Sequence, residues 1–284
     1  MTQEQQVQQI PSLALTFPPA TETNSEKSAR ALVAHSLLQT GRLLLRWTRD
    51  PFTMLQAVIY PALMLVMFWI VLGVTITEGT NVEAIYGQVA MITLVGAMFG
   101  SIASGLSLKK EWADGLLSRF WVLPVHRASG LVSRLLAEGV RILVTTVLIV
   151  AVGFALGFRF DQGLLPGLLM LLLPLLFGMA FATLVTALAV NAAKAPLVEL
   201  LSLLCTLMMF FNSGFVPTMA YPKWLQPVVE NQPMSCVIEA MRGLSAGGPV
   251  AEPLVKTFIW CGAALLIFTY PAIRGYRRAA GTPP

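Results

Sequence analysis

Charge is scarce in this sequence. Only 12% of its 284 residues are Asp, Glu, Lys or Arg, about half the ~25% of an ordinary soluble domain. A water-soluble fold of this length could not cover its surface with so few. Side chains able to carry chemistry are scarcer still. The two histidines, His35 and His126, stand in no His/Asp/Glu cluster with metal-ligand spacing, and no Ser/His/Asp arrangement is visible. No G-x-x-x-x-G-K-[ST] phosphate loop occurs, so the chain does not bind ATP in the P-loop manner, and any ATP-driven work needs an ATPase on another chain. The three cysteines, Cys205, Cys236 and Cys261, are odd in number and far apart, which argues against a disulfide framework or a metal site. Residues 1–26 lack the apolar core of a secretory signal. They are rich in Gln, Thr and Pro, and 1–24 read as a disordered cytoplasmic tail.

Apolar sequence is what the chain has in excess. Hydrophobic residues make up 56% of it, with a mean hydropathy of +0.73. A spanning helix needs roughly 20 mostly apolar residues. Six such stretches occur, near 57–76, 85–108, 135–157, 164–190, 196–211 and 254–273. The expected fold is an all-α membrane protein with six transmembrane helices. A helix over 25–50 precedes them, with His35, Gln39, Arg42, Arg46 and Arg49 on one stripe and Val33, Leu37, Thr40, Leu44 and Trp47 on the other. Asp50-Pro51 ends it. Such a basic amphipathic helix lies in the membrane interface, its arginines toward headgroups or a partner.

Six spans put 15 of the 19 Lys and Arg on one side, leaving only Arg159, Lys223, Arg242 and Lys256 on the other. Basic residues stay in the cytoplasm, so both termini are expected there. The net charge of +5 therefore points to membrane sidedness and not to nucleic acid. Small residues recur every four positions at Gly96, Gly100 and Ser104, and at Gly153 and Gly157, letting helices approach closely. Glu199 is expected at a helix start, and Glu138 and Arg141 at the cytoplasmic start of the third span, spaced to pair. On this reading the span interiors carry no charged relay, which counts against an ion channel or an ion-coupled transporter.

Two segments between spans are informative. The first, KKEWADGLLSRFWVLPVHRASGLVS at 109–133, opens with a short helix whose apolar face is Leu116, Leu117, Phe120 and Trp121, broken at Leu123-Pro124. An exposed apolar cluster of this kind marks a contact, and a stiff cytoplasmic helix is what a soluble motor would push. The second, at 212–248, is too apolar for a free loop and too broken by Pro217, Pro222, Pro227 and Pro233 to be a span. It reads as a re-entrant or interfacial helical hairpin on the outer side.

The order of these features resembles the ABC transporter type-2 permeases. The first segment resembles that family's coupling pattern at Glu111, Gly115, Leu117, Pro124 and Arg134. The second resembles its outer pattern at Ser213-Gly214, Pro217, Pro222, Trp224-Leu225-Gln226, Pro233 and Ala240-Met241-Arg242-Gly243. Within the family, 121–134 and 157–164 look most similar to the daunorubicin-resistance-type C permeases of mycobacteria, which export large lipids such as phthiocerol dimycocerosates, or hydrophobic drugs. One departure is Arg134, where many relatives have Lys.

The resemblance implies a type-2 transmembrane domain over 51–278 and a C-terminal tail over 279–284. It implies a permease subunit in the plasma membrane, exporting a lipid or drug, with no catalysis or cofactor of its own. ATP and Mg would sit on two copies of a partner ATPase, and a paralogous B-type permease would complete the pathway. Glu111, Gly115, Leu116, Leu117, Phe120, Trp121 and Pro124 would receive the ATPase, together with Arg42, Arg46 and Arg49. Met208, Phe211, Asn212 and Ser213 would line the substrate path. A membrane scaffold and a lipid-modifying membrane enzyme are the alternatives.

Overall fold

The computed structural model describes residues 28–51, 55, 59–80, 83–117, 125–191 and 196–281. Among them the secondary structure is helical, without a strand. The elements are α1 (Ala29–Arg49), α2 (Tyr60–Thr80), α3 (Ala84–Ala113), α4 (Ser129–Ala155), α5 (Leu164–Asn191), α6 (Leu197–Phe210), α7 (Gln226–Asn231), α8 (Pro233–Ser245) and α9 (Ala251–Gly281). A 3-10 turn, Thr218–Ala220, precedes α7.

Helices α3, α4, α5 and α9 are long and apolar enough to cross a bilayer. Two further apolar segments, Tyr60–Gly73 within α2 and Leu197–Phe210, are shorter. At 1.5 Å per residue the 14 residues of α6 rise about 21 Å, against ~30 Å of hydrocarbon. The described residues therefore carry four full-length candidate spans, where hydropathy alone indicated six.

Helix α3 is the axis of the bundle. It packs against α2, α4, α5, α6 and α8, and 67% of its most apolar window is buried, against 11% for α9. Met91, Ile92, Leu94 and Met98 of α3 meet Met170 of α5 and Met234 and Ile238 of α8 in one core. At 30 residues α3 is about 45 Å long. It runs through Lys109, Lys110 and Glu111, where the sequence reading begins a separate helix.

Helix α1 begins at Ser28, whose side chain accepts from the Arg30 N–H at 3.3 Å, and stops at Asp50 as expected. Its polar stripe divides, with Arg42, Arg46 and Arg49 exposed and its first half on the protein. Gln39 Nε2 donates to Ser129 Oγ at 3.1 Å, and His35 Nδ1 accepts from the His126 backbone N–H at 3.1 Å. Thr40, counted with the apolar stripe, is buried and donates to the Ser133 carbonyl at 3.2 Å. Val33, Leu37, Leu38 and Leu45 are exposed.

The α4–α5 connection turns on Gly157, at φ +107°, a left-handed value that favours glycine. Phe158 is buried there among Tyr86, Phe154 and Phe160, with ring centroids 5.1–5.6 Å away. The Asp161 N–H donates to the Ser245 carbonyl at 2.9 Å and its carboxylate accepts from Tyr86. This end of α3 is thereby joined to the end of α8.

Candidate functional site

At one end of the bundle, α1, α3, α4 and α9 meet around Glu111. The carboxylate accepts from Arg46 of α1 at 3.3 Å and from Arg134 of α4. Glu111 and Arg134 side chains are 9% and 10% exposed, whereas Arg46 is 69% exposed, so Arg134 is the partner that matters energetically. Tyr276 of α9 closes the group, packed on Gly130 beside Arg134. Nearby, Lys109 of α3 donates to Glu199 of α6 at 3.1 Å. Asn191 at the end of α5 donates to the carbonyls of Ala187 at 2.8 Å and of Pro271 in α9 at 2.9 Å. Residues that charge sidedness assigned to the cytoplasm thus converge at one end.

Beyond Glu111 the chain turns at Asp114-Gly115. Gly115 has φ +69°, a position that favours glycine. A new helical stretch opens at Leu116 and Leu117. Glu111 and Leu117, expected on a projecting helix, are both buried, at 7% and 3% exposure. Glu111 belongs to the last turns of α3 and is held by Arg134, and Leu117 packs back beside Tyr276 and Ala280. Lys110, Ala113 and Asp114 are exposed instead. Phe120, Trp121 and Pro124 lie outside the described residues. Arg42 and Arg49 are exposed at the end of α1.

Next to the Glu111 group a cleft of about 740 Å³ opens between α1, α2, α3, α4 and α6. Met64, Ile92, Val95, Phe99, Met209 and Phe210 form its apolar wall. Its polar strip includes Ser104, Ser107, Glu138 and Arg141. The Glu138–Arg141 pair forms as the spacing indicates, with Arg141 Nη2 2.6 Å from Glu138 Oε2. Helix α4 begins at Ser129, so Glu138 sits about 14 Å along it, level with Ala97 and Ser101 near the middle of α3. The pair is thus buried between α3 and α4.

Asn212 and Ser213 do not line the cleft. Both are fully buried and hold the turn after α6. Asn212 Oδ1 accepts from the Gly214 and Phe215 N–H groups at 2.7 and 3.3 Å, and the Ser213 N–H donates to Ser235 Oγ at 3.2 Å. Gly214 meets Gly87 of α3 backbone to backbone, and a Cβ on Gly87 would stand 2.8 Å from the Gly214 carbonyl. Arg242 of α8 completes the junction, donating to the Ser213 carbonyl and to Glu239, both at 2.8 Å. Tyr221 donates to the Asn212 carbonyl at 3.0 Å, and burial pushes its hydroxyl above the usual pKa. Met208 is half-buried and Phe211 is exposed. The cleft takes their neighbours Met209 and Phe210 instead.

Sequence reading missed Tyr276, Ser101 and the pairing of Arg134 with Glu111. Local spacing flags partners on one helix, such as Glu138 and Arg141. Partners on different helices leave no signal in a single sequence.

The chain is 42% identical over 269 residues to the probable doxorubicin resistance ABC transporter permease protein DrrC of Mycobacterium tuberculosis, covering 95% of this chain and 98% of that one. It is 28% identical over 224 residues to the daunorubicin resistance ABC transporter permease protein DrrB1 of Streptomyces coeruleorubidus, covering 78% and 79% of the two. It is also 26% identical over 185 residues to the doxorubicin resistance ABC transporter permease protein DrrB of M. tuberculosis, covering 62% and 64%. Residues 37–245 match the ABC-2 type transporter family model, and the chain belongs to that family.

Proposed function

We propose that this chain is the membrane-spanning permease subunit of an ATP-driven exporter that moves a hydrophobic drug or an apolar lipid out of the cell. The Glu111 group carries the reading. It joins the end of α3 to α4 through a buried ion pair and to α1 through the exposed Arg46, with Tyr276 of α9 packed alongside, so a push on the turn after α3 is passed to the walls of the cleft. A separate ATPase, expected in two copies, holds ATP and Mg and contacts this turn. The exposed Lys110, Ala113 and Asp114 take part, with Phe120, Trp121 and Pro124 following in the sequence. The similarity to both C-type and B-type permeases supports pairing with a paralogous B-type subunit.

In this reading α2 and α6 are the first and fifth of six spans in the plasma membrane. Helix α1 lies along the cytoplasmic interface, its exposed leucines in lipid, His35 and Gln39 on the protein and its arginines exposed. The basic end of the bundle is cytoplasmic, with both termini, and the 212–248 hairpin caps the outer end.

The test is ATP-dependent uptake of doxorubicin by inverted membrane vesicles. They would carry this chain, a companion permease and a partner ATPase. Uptake should require ATP and all three chains. Lys110→Glu with Asp114→Lys should lower ATPase co-purification and uptake together. If the ATPase neither co-purifies with this chain nor responds to those changes, the permease reading fails, and a scaffold or a lipid-modifying enzyme takes its place.

A further inference from the structure

The Glu138–Arg141 pair sits where stability alone gives little reason for one. A buried ion pair is often no better than apolar residues of the same volume, and ionisable groups inside a bilayer are costly and usually functional. Helix α3 gives up a side chain to seat this one, since a Cβ on Gly100 would overlap the Arg141 guanidinium.

The two members of the pair differ in what they leave open. Arg141 is nearly saturated. Its Nε and Nη2 donate to Glu138 Oε2 at 3.1 and 2.6 Å, Nη2 also to the Ala97 carbonyl and Nη1 to the Gly96 carbonyl, each at 3.4 Å. Four of the five guanidinium N–H groups are thus used. Glu138 takes every bond on one oxygen, since Ser101 Oγ also reaches Oε2, at 3.5 Å. No described residue donates to Oε1. Glu138 is 8% exposed and lines the cleft together with Arg141.

Oε1 thus faces the cleft as an anionic oxygen with no protein donor, open to a donor on whatever fills the cleft. The cleft next to it has the volume of a small-molecule site. Its charges balance: Arg46, Arg134 and Arg141 stand against Asp50, Glu111 and Glu138. No net field therefore selects a ligand by sign, and the open valence on Glu138 decides. That valence accepts a donor. A carboxylate or phosphate head would meet an anionic oxygen and a guanidinium with almost nothing left to give. Ser104 and Ser107 add hydroxyls along the same face of α3, one and two turns from Gly100.

We propose that Glu138 is the polar anchor of a binding site for an amphiphile whose head donates hydrogen bonds, an ammonium or a hydroxyl, and whose apolar body fills the cleft. The inference rests on the permease reading, whose cargo it narrows.

The experiment is equilibrium binding to the full chain in phosphatidylcholine nanodiscs, without ATP. The probes are three dansyl-tagged undecyl chains ending in an ammonium, a hydroxyl or a carboxylate. The wild type should bind the ammonium probe tightest and the carboxylate probe at least about tenfold more weakly, the scale of one charge-assisted hydrogen bond. Glu138→Gln should weaken the ammonium probe about tenfold, change the hydroxyl probe little, and so erase the head-group order. Ala103→Trp, which fills the cleft, should weaken all three probes together. Equal or tighter binding of the carboxylate probe to the wild type overturns the proposal, and that result does not depend on any variant folding. So does a head-group order that survives Glu138→Gln, or binding indifferent to Ala103→Trp. ATP-dependent vesicle uptake alongside any of these leaves the permease reading intact and removes the anchor. The predicted binding pattern without ATP-dependent uptake does the reverse.

Discussion

Removing the Glu111 carboxylate tests the packing logic of the basic end most directly. Glu111 serves two arginines in unequal settings: Arg134, 10% exposed, and Arg46, 69% exposed. An exposed pair contributes at most about 1 kcal/mol. Breaking a buried pair by deleting one partner costs about 3–5 kcal/mol, because the surviving charge has neither water nor a counter-ion. Glu111→Ala strands Arg134 in this way. Arg46→Ala leaves Glu111 paired with Arg134 and should cost little.

The assay is the melting temperature of the detergent-solubilised full chain. On the scale of domains of 150–250 residues, about 2–4 °C per kcal/mol, Glu111→Ala should melt roughly 6–20 °C below wild type, and Arg46→Ala within about 4 °C of it. The double variant Glu111→Leu with Arg134→Met removes both buried charges. It should recover most of the loss, since an apolar replacement of a buried pair is often neutral or better. Equal losses for Glu111→Ala and Arg46→Ala, or a double variant no better than Glu111→Ala, would refute the reasoning.

Other perturbations follow from close approaches of backbone and side chain. Gly100→Ala should displace the Arg141 guanidinium and lower the melting temperature sharply. Gly96→Ala, whose added Cβ meets nothing nearer than Thr145 Cγ2 at 3.3 Å, should be tolerated. Gly214→Ala brings a Cβ within 2.6 Å of the Met91 Cβ and 2.9 Å of the Gly87 carbonyl, so it should expose the segment after α6 to limited proteolysis, while Gly41→Ala, with open space around it, should leave the digest unchanged. Cys236 is buried and its thiol is pushed up by that burial. In a variant whose only cysteine is Cys236, maleimide at neutral pH should label unfolded protein and spare the native chain; rapid native labelling would contradict the buried placement of α8.

The sequence made legible whatever local composition controls. Helical type, the stop of α1 at Asp50, the broken hairpin after α6 and the convergence of basic residues at one end all follow from hydropathy, proline and charge sidedness. Boundaries were legible only where a polar residue ends a helix. Helix α9 runs on to Gly281 through Arg274, Arg277 and Arg278, because charge ends an apolar window without ending a helix. The same effect concealed the site. Hydropathy starts the third span near residue 135 and so leaves Glu138 at its edge. The helix starts at Ser129, because Ser129 and Ser133 are engaged by Gln39 and Thr40 of α1. Contacts of this kind between helices leave no mark on a hydropathy window.

Gly100 shows the same limit from the other side. Its spacing from Gly96 and Ser104 reads as a seam for close helix packing, yet what it admits is a guanidinium from α4. A small residue announces that something comes near. Only the neighbouring helix decides whether that is a backbone, a methyl group or a charge, and here it is the charge that gives the cleft its polar floor.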